Sequence, residues 1–261
     1  MSNWIFLSKH KQDEYINMFA NGVGNSVTDT ESFVYEESSD PIVLRGILKY
    51  KLMHRCWTDQ RDFYYMDTGY FGNVQWKEWH RIVRNDLQHS AIVPRPADRF
   101  EKFKKTFSPW RKHGRDILIA LPDEKPCKFY GIDRDQWVAD TVTEIKKYTD
   151  RPIVLRERAP KRIDRIKTDT LQAALNNNVF ALVTFNSVAA TESIFAGIPV
   201  FTLAPTNAAS PVASQDLSQI DNPYYADSDK LHAWASHLAY GQFHISELKN
   251  GQALQILQET L

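Results

Sequence analysis

The residues best suited to chemistry lie between Val179 and Val200. An apolar run, Val179–Phe185, has the length and character of a buried strand and ends in Asn186-Ser187. A helix rich in small residues is expected to follow at once, over Ser187–Ala196, and Gly197 and Pro199 stop it before the next strand. Asn186 or Ser187 is a natural N-cap. Free N–H groups and the positive dipole end of such a helix, set at a strand's carboxyl edge, favour an anion. Glu192 stands just over one turn in, where a carboxylate can reach hydroxyls of a ligand whose phosphates lie on the helix start.

Further candidates follow the neighbouring strands. Arg156, Arg158, Lys161 and Arg162 come directly after the short strand Ile153–Leu155, at the edge where open parallel sheets bind ligands. An arginine there can grip a diphosphate with two parallel hydrogen bonds and stabilise it as it leaves. In the first half, an aromatic strand, Phe63–Met66, delivers Asp67 into a turn punctuated by Gly69 and Gly72, and Asp67 is the candidate general base. An aspartate that merely stabilises its own turn is the alternative. Arg81, Asn85 and His89 fall at i, i+4 and i+8, a spacing that predicts one face of a helix, with Trp76 and Trp79 nearby. His10, just past the first strand, and His89 are further base candidates.

Several motifs fail. Gly22-Val23-Gly24 lacks a third glycine and follows a helix instead of a strand, so no dinucleotide fingerprint is present. Asp133-Arg134-Asp135 and Asp227-Ser228-Asp229 resemble metal-binding Asp-x-Asp pairs. Both precede expected helices, where aspartates cap, and no metal is assigned.

The elements around these residues alternate between strand and helix in the second half: Asp116–Leu121, Asp133–Tyr148, Ile153–Leu155, Asp169–Asn176, Val179–Phe185, Ser187–Ala196 and Pro199–Leu203. That alternation predicts a parallel sheet covered on both faces. The first half reads similarly, with strands at Trp4–Leu7, Pro41–Leu44 and Phe63–Met66 and a helix over His10–Ala20. Val93–Arg115 reads as a connector, and Asp229–Tyr240 and Ile245–Leu261 as helices. The expectation is an α/β protein of two Rossmann-like domains, residues 1–108 and 109–261.

Composition bounds the class. The 261 residues are 43% hydrophobic and 25% charged, which suits a globular protein. Two cysteines, Cys56 and Cys127, cannot build a disulfide scaffold, and with no signal-like start the expectation is a cytoplasmic protein without a membrane partner. The net charge of +0 hides segregation: residues 1–44 carry 2 basic and 7 acidic groups, residues 168–261 carry 2 and 8, and residues 45–167 carry 28 and 17. The basic middle suits a polyanionic partner or a phosphorylated ligand; a solvated face paired with the acidic ends is the other reading.

Thr184–Val200 resembles the donor-site helix of GT-B glycosyltransferases, and the resemblance implies that the two Rossmann-like domains face a cleft, with the first reduced and the C-terminal helix crossing back onto it. The resemblance implies that Asn186 and Ser187 bind phosphate, with Thr191 on the same helix, and that Glu192 binds the sugar nucleotide. Arg156, Arg158 and Lys161 complete the donor set. No cofactor is implied beyond a nucleotide-sugar co-substrate of the UDP type. The whole chain is also similar to small phage-encoded glycosyltransferases, some of which add glucose or arabinose to hydroxymethylcytosine in DNA, in the host cytoplasm. On that resemblance double-stranded DNA is the acceptor, contacted by Arg81, Arg84, Asn85, Arg95, Lys104, Lys105, Trp110 and Arg111. A glycosyltransferase acting on a cell-surface glycan and a noncatalytic nucleic-acid-binding protein are the alternatives.

Overall fold

In the computed structural model, which describes residues 4–9, 13–47, 49–73, 77–157 and 170–259, the apolar runs become the inner strands of two separate sheets. From the N-terminus come β1 (Ile5–Ser8), α1 (Glu14–Gly22), β2 (Val27–Asp29), β3 (Ile42–Arg45), α2 (Tyr50–Thr58), β4 (Phe63–Thr68), β5 (Trp79–Arg84) and α3 (Asp98–Glu101). Next are β6 (Asp116–Ala120), α4 (Glu124–Tyr130), α5 (Arg134–Ile145), β7 (Ile153–Arg156), α6 (Leu171–Asn176), β8 (Val179–Thr184), α7 (Ala189–Phe195), β9 (Val200–Thr202) and α8 (Ser228–Tyr240). The chain continues through β10 (Gln242–His244), α9 (Ile245–Lys249) and α10 (Gln252–Glu259).

The protein is α/β, and its elements form two compact units. One comprises Met1–His89, Asp98–Phe103 and Ser236–Leu261; the other comprises Ser90–Ala97 and Lys104–Ala235. The first unit has a sheet in the order β10-β5-β4-β3-β1-β2, with β2, β1, β3 and β4 parallel, β5 antiparallel to β4, and β10 antiparallel to β5. The second has a fully parallel sheet, β7-β6-β8-β9. Numbered within each unit, both parallel sets run 2-1-3-4, a Rossmann-like arrangement in which the first strand lies inside and the chain winds outward to both sides. The sequence carries no repeat that reveals this.

Burial explains the strands. Every residue of β6, β8 and β9 is buried, as a strand covered by helices on both faces requires. In the second unit Ile117, Ile119, Phe180, Val183 and Phe201 pack with Ile145, Leu217 and Ile220. In the first, Trp4 stacks on Tyr64 at 4.1 Å, and Phe6, Ile16, Phe19, Met66 and Ile82 pack with Phe243, Leu248 and Leu257 from the C-terminal segment.

Two expectations need correction. The helix across Arg81–His89 is instead strand β5, Trp79–Arg84, followed by a turn in which Asn85 takes a left-handed backbone at φ 57°. The polar spacing is coincidental, because the β-branched pair Ile82-Val83 is buried between β4 and β10. Val93–Arg115 does not form one connector, since Asp98–Phe103 belongs to the first unit and the residues on either side to the second. The position 108/109 falls within the second unit.

Candidate functional site

In an open parallel sheet, ligands bind outside the carboxyl ends of adjacent strands whose connections leave in opposite directions. In the second unit that point lies between β6, which leads to β7 on one side, and β8, which leads to β9 on the other. The carboxyl ends there are Ala120-Leu121-Pro122 and Thr184-Phe185-Asn186-Ser187.

Local hydrogen bonds build this edge. The Thr184 hydroxyl donates to the Ala120 carbonyl at 3.0 Å and accepts the Ser187 N–H at 3.3 Å, which turns the chain back over β8. The Ser187 Oγ accepts the Ala189 N–H at 3.2 Å, so its hydroxyl serves the first amide of α7. The regular helix starts at Ala189, two residues later than the sequence suggests, because Val188 takes up the turn. Glu192 is exposed on the outer face of α7, while Thr191 is wholly buried on its inner face and Asn186 is buried in the turn. Inward-facing Thr191 is therefore a packing residue of α7, whereas Ser187 and Glu192 are reachable from solvent. Gly197 ends the helix at φ 71°, and a side chain there would strike the Pro109 carbonyl.

Arg156 ends β7 beside this edge. Arg158 and Lys161, with Arg162, lie outside the described residues. Sequence reasoning missed Arg134: its Nε donates to the Pro122 carbonyl at 2.8 Å and its Nη2 pairs with Glu157 at 2.6 Å, placing a guanidinium between the ends of β6 and β7. It also missed Tyr130, which packs on Phe185 at 5.3 Å between ring centroids and hydrogen-bonds Thr206 at 2.6 Å. Neither has a signal in the sequence, since both reach the edge from helices.

The corresponding edge of the first unit gathers charged groups. Asp67, near the end of β4, has a side chain 38% exposed. Its Oδ2 accepts from the Tyr65 hydroxyl at 2.7 Å and from Arg81 Nη2 at 3.3 Å, and its Oδ1 accepts the Thr68 N–H at 2.7 Å. Burial works to raise its pKa, but the Arg81 charge and the hydrogen bonds from Tyr65 and Thr68 outweigh it and hold the carboxyl below its ordinary value. Burial and the Asp67 charge hold the Tyr65 hydroxyl far above its ordinary value, so Tyr65 remains a donor. On the opposite sheet face, Asp13 caps α1 and pairs with Arg45 at 2.7 Å, and Tyr15 packs on fully buried His80 at 4.3 Å.

The other candidates sort clearly. His89 lies on the turn after β5, where its Nδ1 meets the Tyr70 hydroxyl at 2.9 Å and its ring contacts His237. Burial, then the charges of His237 and Arg81, lower its pKa to about 3. His10 lies outside the described residues. Arg81 is buried and donates to the carbonyls of Leu87 and Thr68 as well as to Asp67. Arg84 pairs with Asp62 at 2.7 Å, and Asn85 ties Asp62 to the Phe63 amide. Trp110 donates to the Ala226 carbonyl, and Arg111 to the carbonyls of Leu175 and Val179. Lys105 sits over the Phe195 ring at 4.5 Å, Lys104 is exposed, and Arg95 is half-buried. Arg81, Asn85, Trp110 and Arg111 thus hold the protein's own backbone.

No protein-family model and no curated protein matches the sequence. Solved structures do. Over 98% of this chain and 99% of the other, it superimposes on the beta Kdo 2,7 transferase of KpsC from Thermosulfurimonas dismutans with a TM-score of 0.52 and 10% identity. The likeness is in the fold. The beta Kdo 2,4 transferase of KpsC from the same organism matches at the same TM-score and identity over 89% of each chain. These likenesses span both units, so the pair of Rossmann-like sheets is a shared architecture.

Among the described residues no group of His, Cys, Asp or Glu is arranged to hold a metal ion. Asp133 accepts the Gln136 N–H at 2.8 Å and Asp227 the Lys230 N–H at 2.8 Å, both as helix-start acceptors. Among the described residues no helix is long and apolar enough to cross a membrane.

Proposed function

We propose that this protein is a glycosyltransferase that uses a nucleotide-sugar donor, of the UDP type, and a saccharide acceptor. The observation that carries the reading is the switch-point edge of the second unit, where Ser187 and exposed Glu192 follow directly on β8. Fold alone does not assign function. The likeness to two Kdo transferases supports the reading because it runs through both units. In this assignment Ser187 and Arg156 meet the donor phosphates, Glu192 meets donor hydroxyls, and Asp67 takes the acceptor proton.

A saccharide acceptor, such as a cell-surface glycan, is favoured over DNA. Arg81, Arg84, Asn85, Trp110 and Arg111 are engaged within the protein, which weakens the case for a phosphate-contacting face. Hydroxymethylcytosine DNA remains the second reading on the basic middle segment of the sequence. Thermal melts with a panel of nucleoside diphosphates and nucleotide sugars test the donor site. A ligand at 100 times its Kd adds about 2.7 kcal/mol of stability, and Glu192→Ala is expected to remove most of that gain. A panel without any stabilising nucleotide at millimolar concentration would refute the donor site. Turnover of the stabilising nucleotide sugar on capsular or lipopolysaccharide glycans, against hydroxymethylated duplex DNA, then decides the acceptor.

A further inference from the structure

The Asp67 carboxylate has more partners than a turn-stabilising aspartate needs. Such a residue is satisfied by nearby backbone amides, and the Thr68 N–H already supplies one on Oδ1. Oδ2 is turned the other way, onto the Tyr65 hydroxyl and the Arg81 guanidinium. Tyr65 is two residues back on β4, and Arg81 is the direct cross-strand neighbour of Asp67 on β5, so all three project from one sheet face. Arg81 is itself fixed, with Nε and Nη1 donating to the Leu87 and Thr68 carbonyls. Arg81 is thereby held against Oδ2, and Tyr65 is buried beside it.

We propose that Tyr65 and Arg81 are positioning residues that occupy Oδ2 of Asp67 and leave Oδ1 as the atom that receives an acceptor hydroxyl. The proposal rests on the reading of Asp67 as the acceptor-side base. A carboxylate offers about four lone-pair directions. Three are taken by Tyr65, Arg81 and Thr68, and the remaining one is on Oδ1, on a side chain that is 38% exposed. The acceptor O–H donates to that position. As its oxygen bonds to the anomeric carbon, the proton passes to Oδ1, and the anomeric C–O bond to the donor phosphate breaks with its electron pair leaving on the phosphate. A carboxylate of low basicity suffices, because the hydroxyl proton becomes strongly acidic once its oxygen is bonded to the sugar. Arg81 and Tyr65 keep the group ionised and its plane fixed, which is the preorganisation that general-base transfer needs.

The test is a carbon-13 titration of the Asp67 carboxyl in the wild type and in Tyr65→Phe. The wild-type group is expected to titrate below the ordinary aspartate value, and loss of the Tyr65 hydrogen bond to raise it by about 0.5–1 pH unit. The acid limb of kcat/KM, measured as hydrolysis of the nucleotide sugar that stabilises the protein best, should move with it while nucleotide stabilisation stays unchanged. A carboxyl titration that does not move in the variant overturns the proposal, as does a limb that stays put while the titration moves. Should Tyr65→Phe not fold, a wild-type Asp67 titrating at or above the ordinary value overturns it alone. The titration needs no ligand, so its outcome is separate from that of the glycosyltransferase reading. Asp67→Asn that retains turnover would remove Asp67 as base even where the donor site is sound.

Discussion

Asp67, His80 and His89 show how side chains of the first unit acquire unusual acidities from their packing. Asp67 stays charged because Arg81 lies across the sheet, whereas His80 stays neutral in a wholly buried position near Arg45 and His89 does so half-buried against His237 and Arg81. Burial and the Arg45 charge lower His80 to about 4, and burial with the His237 and Arg81 charges lowers His89 to about 3. Both rings have ordinary acidity, near 6.5, once unfolded. As pH falls below that value the unfolded chain takes up protons that the folded chain refuses, so stability decreases with falling pH. The loss begins near pH 6.5 and runs down to the folded values of about 4 and about 3. Each ring should cost on the order of 2–3 kcal/mol by pH 4. Urea unfolding at pH 7, 5.5 and 4.5 checks this, with His89→Gln expected to flatten the slope. Equal stability at pH 7 and 4.5 would show that neither ring is buried neutral.

At the level of elements, the donor edge depends on how α7 is stopped as well as how it starts. Gly197 combines a left-handed backbone with close approach to the Pro109 carbonyl, and the Arg111 N–H donates to the Gly197 carbonyl at 2.6 Å. Gly197→Ala is expected to cost on the order of 1–3 kcal/mol from the backbone conformation, with the collision added. It should also weaken nucleotide stabilisation, because α7 carries Glu192. A Gly197→Ala protein that melts like the wild type would mean that the helix end relaxes freely. The β8–α7–β9 stretch was legible in the sequence because everything that shapes it is local: an apolar run, a polar turn, small residues, then Gly and Pro. Strand β5 was not, since Arg81 is flanked in the sheet by Asp67 on β4 and by Gln242 far along the chain. The Gln242 Oε1 accepts the Tyr70 N–H at 2.7 Å, and its Nε2 donates to the Phe71 carbonyl at 3.0 Å, fixing the Gly69–Gly72 turn after Asp67. No window of sequence contains that pairing. Arg134 and Tyr130 were missed for the same reason.

Across the whole molecule, the two units repeat one strand order but finish it differently. The second closes its parallel set with β9, while the first extends it with β5 and then with β10, a strand supplied from the far end of the chain. That last strand makes the first unit discontinuous in sequence. Phe243 pairs with His80, Gln242 with Arg81, and Phe243, Leu248 and Leu257 are buried in the same core as Trp4, Phe19 and Met66. Arg99 adds a clasp within the unit, with Nη1 to Glu247 at 2.5 Å and with its other nitrogens to the carbonyls of Ala239 and Gln242. Each fully buried Phe or Leu contributes about 1.5–3 kcal/mol, so three of them amount to a large share of the 5–15 kcal/mol typical of a folded protein. Truncation after Tyr240 should therefore unfold the first unit, while the second keeps its own core, in which Trp234 is fully buried and donates to the Ala208 carbonyl at 2.6 Å. Hydrogen exchange of the truncated chain is the measurement. Protection should vanish from β1, β3 and β4 and persist in β6 and β8, and nucleotide binding should survive while turnover is lost. Protection that persists in β1, β3 and β4 would show that the N-terminal residues fold without the returning strand, and uniform loss from both sheets would show that the second unit cannot stand without the first.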